Sequence, residues 1–128
     1  MVRTVILIDD DRDDLEIMKE ALQLYDKSLA PISFIYPEEA IRVIANDLIL
    51  VPNYIFIDIN MPGITGDKCL RELRKHPVLN NSVITMFSTS MPKDVADSLR
   101  KAGADFTFEK PNKFDDYQTI LRTIISAS

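Results

Sequence analysis

Tyr54-Ile55-Phe56-Ile57-Asp58-Ile59-Asn60-Met61-Pro62-Gly63-Ile64-Thr65-Gly66 is a strongly β-prone apolar run, interrupted by one carboxylate just before a turn. A run this apolar predicts a strand buried on both faces, as in the parallel sheets of α/β proteins. Asp58 then stands where the strand meets its loop. In an open parallel sheet, ligands bind at the carboxyl ends of the strands, so this is the expected position for a reactive acid. Taken alone, Asp58 reads first as a buried acid capping the turn through Met61-Pro62-Gly63.

Working outward, the segments on both sides alternate strand with helix. Residues 4–8 form a short β-branched run that stops at Asp9-Asp10-Asp11. Leu15, Met18, Leu22 and Tyr25 then recur at helical spacing, with Asp11, Asp13 and Asp14 suited to the positive end of that helix. Residues 32–36 predict a second strand, and Pro37-Glu38-Glu39 opens a helix that fades near Asn46-Asp47. Leu48-Ile49-Leu50-Val51 leads to the breaker Pro52-Asn53 ahead of the central strand. Gly66-Asp67 begins a third helix carrying Cys69, Leu70 and Leu73 and ending at His76-Pro77.

After the Asn80-Asn81 turn, residues 82–87 predict a fourth strand running into Ser88-Thr89-Ser90. Ser90 is read as a helix cap and Pro92 as the opening of a fourth helix that closes at Gly103, a left-handed position. Residues 105–109 predict strand five, Lys110-Pro111 ends it, and Phe114, Tyr117, Ile120, Leu121 and Ile124 mark a final amphipathic helix. Strands alternating with helices in this way predict a doubly wound α/β fold: a five-stranded parallel sheet in the flavodoxin-like order 2-1-3-4-5, flanked by five helices. That order makes strands one and three neighbours. It brings Asp9 and Asp10 beside Asp58, with Ser88 and Lys110 arriving from the next two strands.

Composition narrows the functions. The chain has 128 residues, 46% hydrophobic and 27% charged, which fits one domain with a real core over residues 1–128 and no linker or second domain. No apolar stretch is long enough for a bilayer and the N-terminal residues do not read as a cleavable signal, so a cytoplasmic protein with no membrane partner is expected. One cysteine, Cys69, excludes an intrachain disulfide, and with one histidine, His76, there is no material for a zinc site or a Cys–His pair. A net charge of −5 argues against direct nucleic-acid binding and favours protein partners or a cation.

Three carboxylates at one site raise one another's proton affinity unless a cation intervenes. Mg2+ takes oxygen ligands and is typically held by one or two carboxylates plus phosphate oxygens, which suits Asp10, Asp58 and a backbone carbonyl near Asn60. That chemistry points to phosphoryl transfer, with Asp58 as nucleophile forming an aspartyl phosphate. Lys110 is then suited to neutralise one phosphoryl oxygen and Ser88 to donate to another. Singly, the acids read as helix-end residues, Lys110 as a surface lysine and Ser88 as a turn hydroxyl. Their shared arrival at the strands' carboxyl ends tips the reading.

The same residues carry a resemblance. Ile6-Leu7-Ile8-Asp9-Asp10-Asp11, Asp58-Ile59-Asn60-Met61-Pro62-Gly63 with Gly66, Ser88-Thr89, Ala102-Gly103-Ala104-Asp105 and Lys110-Pro111 together resemble the receiver domain of two-component response regulators over essentially the whole chain. The resemblance implies Asp58 as phosphoacceptor, Asp9 and Asp10 serving Mg2+, Asn60 ligating through its carbonyl, Ser88 as switch hydroxyl and Lys110 as the phosphate-pairing lysine. It also implies a cis Lys110–Pro111 bond. The expected function is a stand-alone receiver in phosphorelay signalling, a monomer or weak dimer. A histidine kinase or phosphotransfer protein phosphorylates it on Asp58, it slowly dephosphorylates itself, and its output is protein binding. One departure stands out: the family's aromatic switch position falls on Thr107, with Phe106 and Phe108 beside it on the opposite face.

Three rivals share parts of this pattern. A flavodoxin-like redox protein shares the fold, but Asp9-Asp10-Asp11 repels a flavin phosphate. An aspartate-nucleophile phosphatase wants a second acid where Asn60 stands. The alternative kept is a degenerate receiver acting as a phosphorylation-independent binding module, although no acid, hydroxyl or lysine position is missing.

Overall fold

The computed structural model describes residues 2–46 and 51–126. Its elements run β1 (Arg3–Ile8), α1 (Arg12–Tyr25), β2 (Leu29–Phe34), α2 (Pro37–Ala45), β3 (Tyr54–Asp58), α3 (Gly66–Arg74), a short 3-10 helix (Pro77–Leu79), β4 (Val83–Ser88), α4 (Lys93–Lys101), β5 (Phe106–Glu109) and α5 (Phe114–Ser126). The sheet order is β2-β1-β3-β4-β5 and every pairing is parallel. Both match the order expected from the alternating strand and helix pattern. The apolar segment at 48–50 lies outside the described residues.

The period-two alternation of each strand divides the core into two layers. Ile6, Ile8, Ile55, Ile57, Ile84 and Met86 pack with α2, α3 and α4, whose Ala40, Ile44, Cys69, Leu70, Leu73 and Leu99 share that layer. Val5, Leu7, Tyr54, Phe56 and Phe87 face the other way, onto Leu15, Met18, Leu22, Tyr117 and Leu121 of α1 and α5. Every β3 residue is buried, as expected for a central strand covered on both faces. Cys69 is fully buried, and burial pushes its thiol up to about 12. Native protein is therefore expected to leave Cys69 unreacted with a thiol-specific disulfide reagent at neutral pH, with full reaction after denaturation.

Three local expectations are corrected. β2 begins at Leu29 rather than at 32, with Pro31 inside it, paired with Val5. β2 is an edge strand and bonds on one side alone, so a proline's missing donor is tolerated there. Ser90 does not cap α4: Pro92 occupies that position, and the Ser90 N–H donates to Ser88 Oγ at 3.3 Å. The Lys110–Pro111 bond is trans, the form an X–Pro amide intrinsically prefers.

Gly103 follows α4 with φ +118, and a Cβ there would lie 2.8 Å from Arg74 Cγ. That closeness reflects a brace: Arg74 donates to the Gly103 carbonyl (2.8 Å), the Leu79 carbonyl (2.7 Å) and Asp105 (2.9 Å). Asp105 in turn accepts from the Ile84 N–H at 2.9 Å, tying the start of β5 to β4.

Candidate functional site

The site residues stand at the carboxyl edge because the strands end there together. Asp58 is the last residue of β3 and Ser88 the last of β4, while Asp9 and Lys110 follow β1 and β5 directly. The ladders continue one step past the strands: the Asp9 N–H donates to the Phe34 carbonyl (3.1 Å), Ile59 N–H to Phe87 (2.8 Å) and Lys110 N–H to Ser88 (2.8 Å). The backbone that carries the chemistry is thus fixed by sheet hydrogen bonds, not left to loops.

Asp9, Asp10 and Asp58 each offer a carboxylate oxygen, and these oxygens lie within 4.8 Å of one another. Asp58 is buried and Asp10 exposed, so the cluster runs from the buried strand end out to solvent. Lys110 reaches into it, its Nζ lying 3.3 Å from Asp58 Oδ1, 3.0 Å from Asp9 Oδ2 and 2.7 Å from Asp14 Oδ2. Ser88 Oγ accepts from Asn60 Nδ2 at 2.9 Å. All the residues singled out in the sequence therefore gather at one edge.

The electrostatics follow from burial. Burial pushes the Asp9 carboxyl up to about 6, against the lowering pull of the Asp11 N–H and the Lys110 charge. Burial likewise raises Asp58, with Lys110 opposing. For Lys110, burial favours the neutral amine, but the Asp14 hydrogen bond and the Asp9 charge outweigh it and hold the side chain as ammonium. The chain thus gathers more negative charge than one lysine neutralises. That donor set, hard oxygens within bonding reach of one centre, fits a divalent cation of the Mg2+ type.

Two contacts were not legible in the sequence. Asp14 reads as a helix-dipole acid, yet its carboxylate makes the shortest contact to Lys110. Asn60 is expected to act through its carbonyl, and its side chain also holds the Ser88 hydroxyl.

Thr107 lies on the sheet face opposite its neighbours, as alternation requires. It pairs with Met86 and accepts a hydrogen bond from Arg100 Nη2 at 3.1 Å. Phe106 and Phe108 stack at 6.2 Å on the α1/α5 side, and Phe108 continues to Phe87 at 6.1 Å.

A doubly wound parallel sheet with acids, a hydroxyl and a lysine converging at its carboxyl edge is the architecture of receiver domains. The chain belongs to that family: residues 5–122 match the response regulator receiver domain. It is 30% identical over 124 residues to the sensory transduction protein BceR of Halalkalibacterium halodurans, covering 94% of this chain and 50% of that one. The chain spans between 20% and 50% of the length of the curated relatives it matches. In fold it is similar to the phosphorylated cyanobacterial phytochrome response regulator RcpA, with a TM-score of 0.89 at 19% identity, covering 100% of this chain and 97% of that one. The Mn2+-bound form of response regulator Rcp1 gives a TM-score of 0.83 at 20% identity, covering 94% and 92%. Receiver domains are phosphoacceptor signalling modules, and among the described residues no helix is long and apolar enough to cross a membrane.

Proposed function

We propose that Asp58 accepts a phosphoryl group from a phosphohistidine of a histidine kinase or phosphotransfer protein. The observation that carries this reading is the convergence of Lys110 Nζ, 3.3 Å from Asp58 Oδ1, with the Asp9, Asp10 and Asp58 oxygens within 4.8 Å of one another. In the transfer, an Asp58 carboxylate oxygen forms a bond to phosphorus. The phosphorus–nitrogen bond breaks, and its electron pair returns to the imidazole. Lys110 neutralises charge on one phosphoryl oxygen and the Ser88 hydroxyl donates to another. Asp9, Asp10 and Asp58 with the Asn60 carbonyl would hold Mg2+, which supplies charge compensation for the phosphoryl oxygens when bound. Slow attack of water on phosphorus later returns the free carboxylate and inorganic phosphate.

The domain works in phosphorelay signalling in the cytoplasm, as a monomer or weak dimer whose output is binding to a protein target. Net charge −5 supports a protein rather than nucleic-acid target. Incubation with acetyl phosphate and Mg2+ is expected to give a single phosphoryl adduct by intact mass, stable in acid and lost in alkali. Asp58→Asn is expected to abolish it, and so is chelation of the metal. An unlabelled wild-type protein, or an adduct that persists in Asp58→Asn, would overturn the reading in favour of a phosphorylation-independent binding module.

A further inference from the structure

Lys110 has three N–H donors and meets three carboxylates, and these do not stand equally toward the reaction. Asp9 and Asp58 belong to the cluster suited to a cation, and Asp58 is also the proposed nucleophile. Asp14 is outside that cluster, in the first turn of α1, and makes the shortest of the three contacts, 2.7 Å. Its backbone is fixed as well: the Asp14 N–H donates to the carboxylate of the cap residue Asp11 at 3.3 Å. Asp14 is half-buried and Lys110 largely so, with side-chain exposures of 28% and 15%, which limits screening of the pair.

The cavity beside the ammonium has a largely apolar lining. Leu15, Met18, Phe56, Phe87 and Tyr117 line a small cavity of about 30 Å³ whose polar rim includes Asp9, Asp14, Asp58 and Lys110. Against that largely apolar lining, Asp9, Asp14 and Asp58 are the ion-pair partners that hold the Lys110 head. Once Asp58 carries a phosphoryl group and Asp9 faces a cation, Asp14 is the carboxylate left free to hold Lys110.

We propose that Asp14 is a positioning residue for the phosphoryl-transfer lysine, anchoring Lys110 Nζ to the first turn of α1 so that it stays aligned on Asp58 before and after transfer. This role rests on the phosphoacceptor reading of Asp58. Asp14 touches no reacting atom; it acts through Lys110. It also links the chemistry physically to α1.

Two measurements on the full chain test the role. Mass-spectrometric footprinting with an amine-acylating reagent, on unphosphorylated protein, reads how tightly each lysine is held. Asp14→Ala is expected to raise acylation of Lys110 several-fold while the other lysines keep their wild-type rates, an outcome that general loosening of the fold does not produce. Labelling by acetyl phosphate with Mg2+ is expected to slow roughly tenfold in Asp14→Ala, the effect of losing one charge-assisted hydrogen bond. The isosteric Asp14→Asn serves should the alanine variant fold poorly, and Asp14→Glu is expected to restore part of the rate. Labelling and Lys110 acylation at wild-type rates in Asp14→Asn and Asp14→Ala would overturn Asp14's role alone. Failure of wild-type protein to label at all overturns the phosphoacceptor reading and this role with it.

Discussion

Gly66→Ala is expected to destabilise the domain by about 3 kcal/mol or more, lowering the melting temperature by roughly 10 °C. A Cβ on Gly66 would lie 2.5 Å from the Asp58 carbonyl oxygen, 2.5 Å from Ile59 Cα and 3.0 Å from the Asp58 carbonyl carbon. All three are backbone atoms of the strand end that carries the candidate phosphoacceptor, so no side chain can swing aside to make room. Nor can α3 easily retreat, because the Gly66 N–H donates to the Ile59 carbonyl at 3.0 Å and its Cys69, Leu70 and Leu73 are buried in the core against the sheet. Hard-sphere overlap at these distances requires movement of the main chain itself. Urea denaturation followed by circular dichroism measures the loss directly. A change below about 1 kcal/mol would show that the loop from Asn60 to Thr65 absorbs the methyl group, contrary to the close approach described. Gly63→Ala is the contrasting case: its φ is +80, and the nearest atom to an added Cβ is the Glu38 side chain at 3.5 Å. There the cost comes from backbone conformation alone, and it should be the smaller of the two.

The second large effect is the dependence of stability on Mg2+ and pH. In the metal-free protein, Asp9 holds its proton up to about pH 6, whereas in the unfolded chain it releases it near the ordinary 3.8. Between those values the folded state binds more protons than the unfolded state, so stability falls as pH rises through this window and the loss is complete above about 6. Asp58 is shifted in the same direction and adds to the trend. A divalent cation binds the ionised carboxylates, so its stabilisation runs the opposite way. At about 100 times its dissociation constant, Mg2+ is expected to add about 2.7 kcal/mol at neutral pH. The gain should shrink as pH falls through about 6, where the proton on Asp9 competes with the metal. Melting curves with and without Mg2+ across pH 5 to 8 separate the two slopes. A metal increment independent of pH, or none at all, would sink the assignment of these acids to a cation.

Lys110 keeps its charge throughout that range, held by its carboxylate neighbours against the cost of burial. It therefore partly compensates the cluster in the metal-free state. The carboxylates nonetheless outnumber it, so Asp58→Asn is expected to ease metal-free stability while ending phosphoryl acceptance.

Thr107 bears on how the proposed phosphorylation would be reported outward. The side chain standing where the family usually has an aromatic ring is small, and Arg100 of α4 holds its hydroxyl at 3.1 Å. The aromatic continuity runs instead through Phe56, Phe87, Phe108 and Phe106, on the layer shared with α1 and α5. Phe87 pairs with Asp58 in register and precedes Ser88, so that layer begins next to the candidate phosphorylation site.

The sequence by itself determined the order of elements, the two-faced burial of Tyr54–Asp58 and the set of groups at the carboxyl edge. These rest on hydrophobic period, turn residues and strand ends, all of which are local and written directly into the chain. The parallel order brought Asp9, Asp10, Asp58, Ser88 and Lys110 together because strand ends in a doubly wound sheet share one edge. Only the tertiary structure decided where side-chain tips meet. Pro31 belongs to a strand because β2 is at the edge, a fact of sheet position that propensity does not carry. Asn60 took the Ser88 hydroxyl because β3 and β4 end beside one another, and the Ser90 N–H turned back to that same hydroxyl within the loop. Asp14 met Lys110 across 96 positions of sequence, through the packing of α1 against the sheet. A helix-dipole acid and a lysine anchor are the same residue type in the same first turn, and they differ only in what the fold brings opposite them.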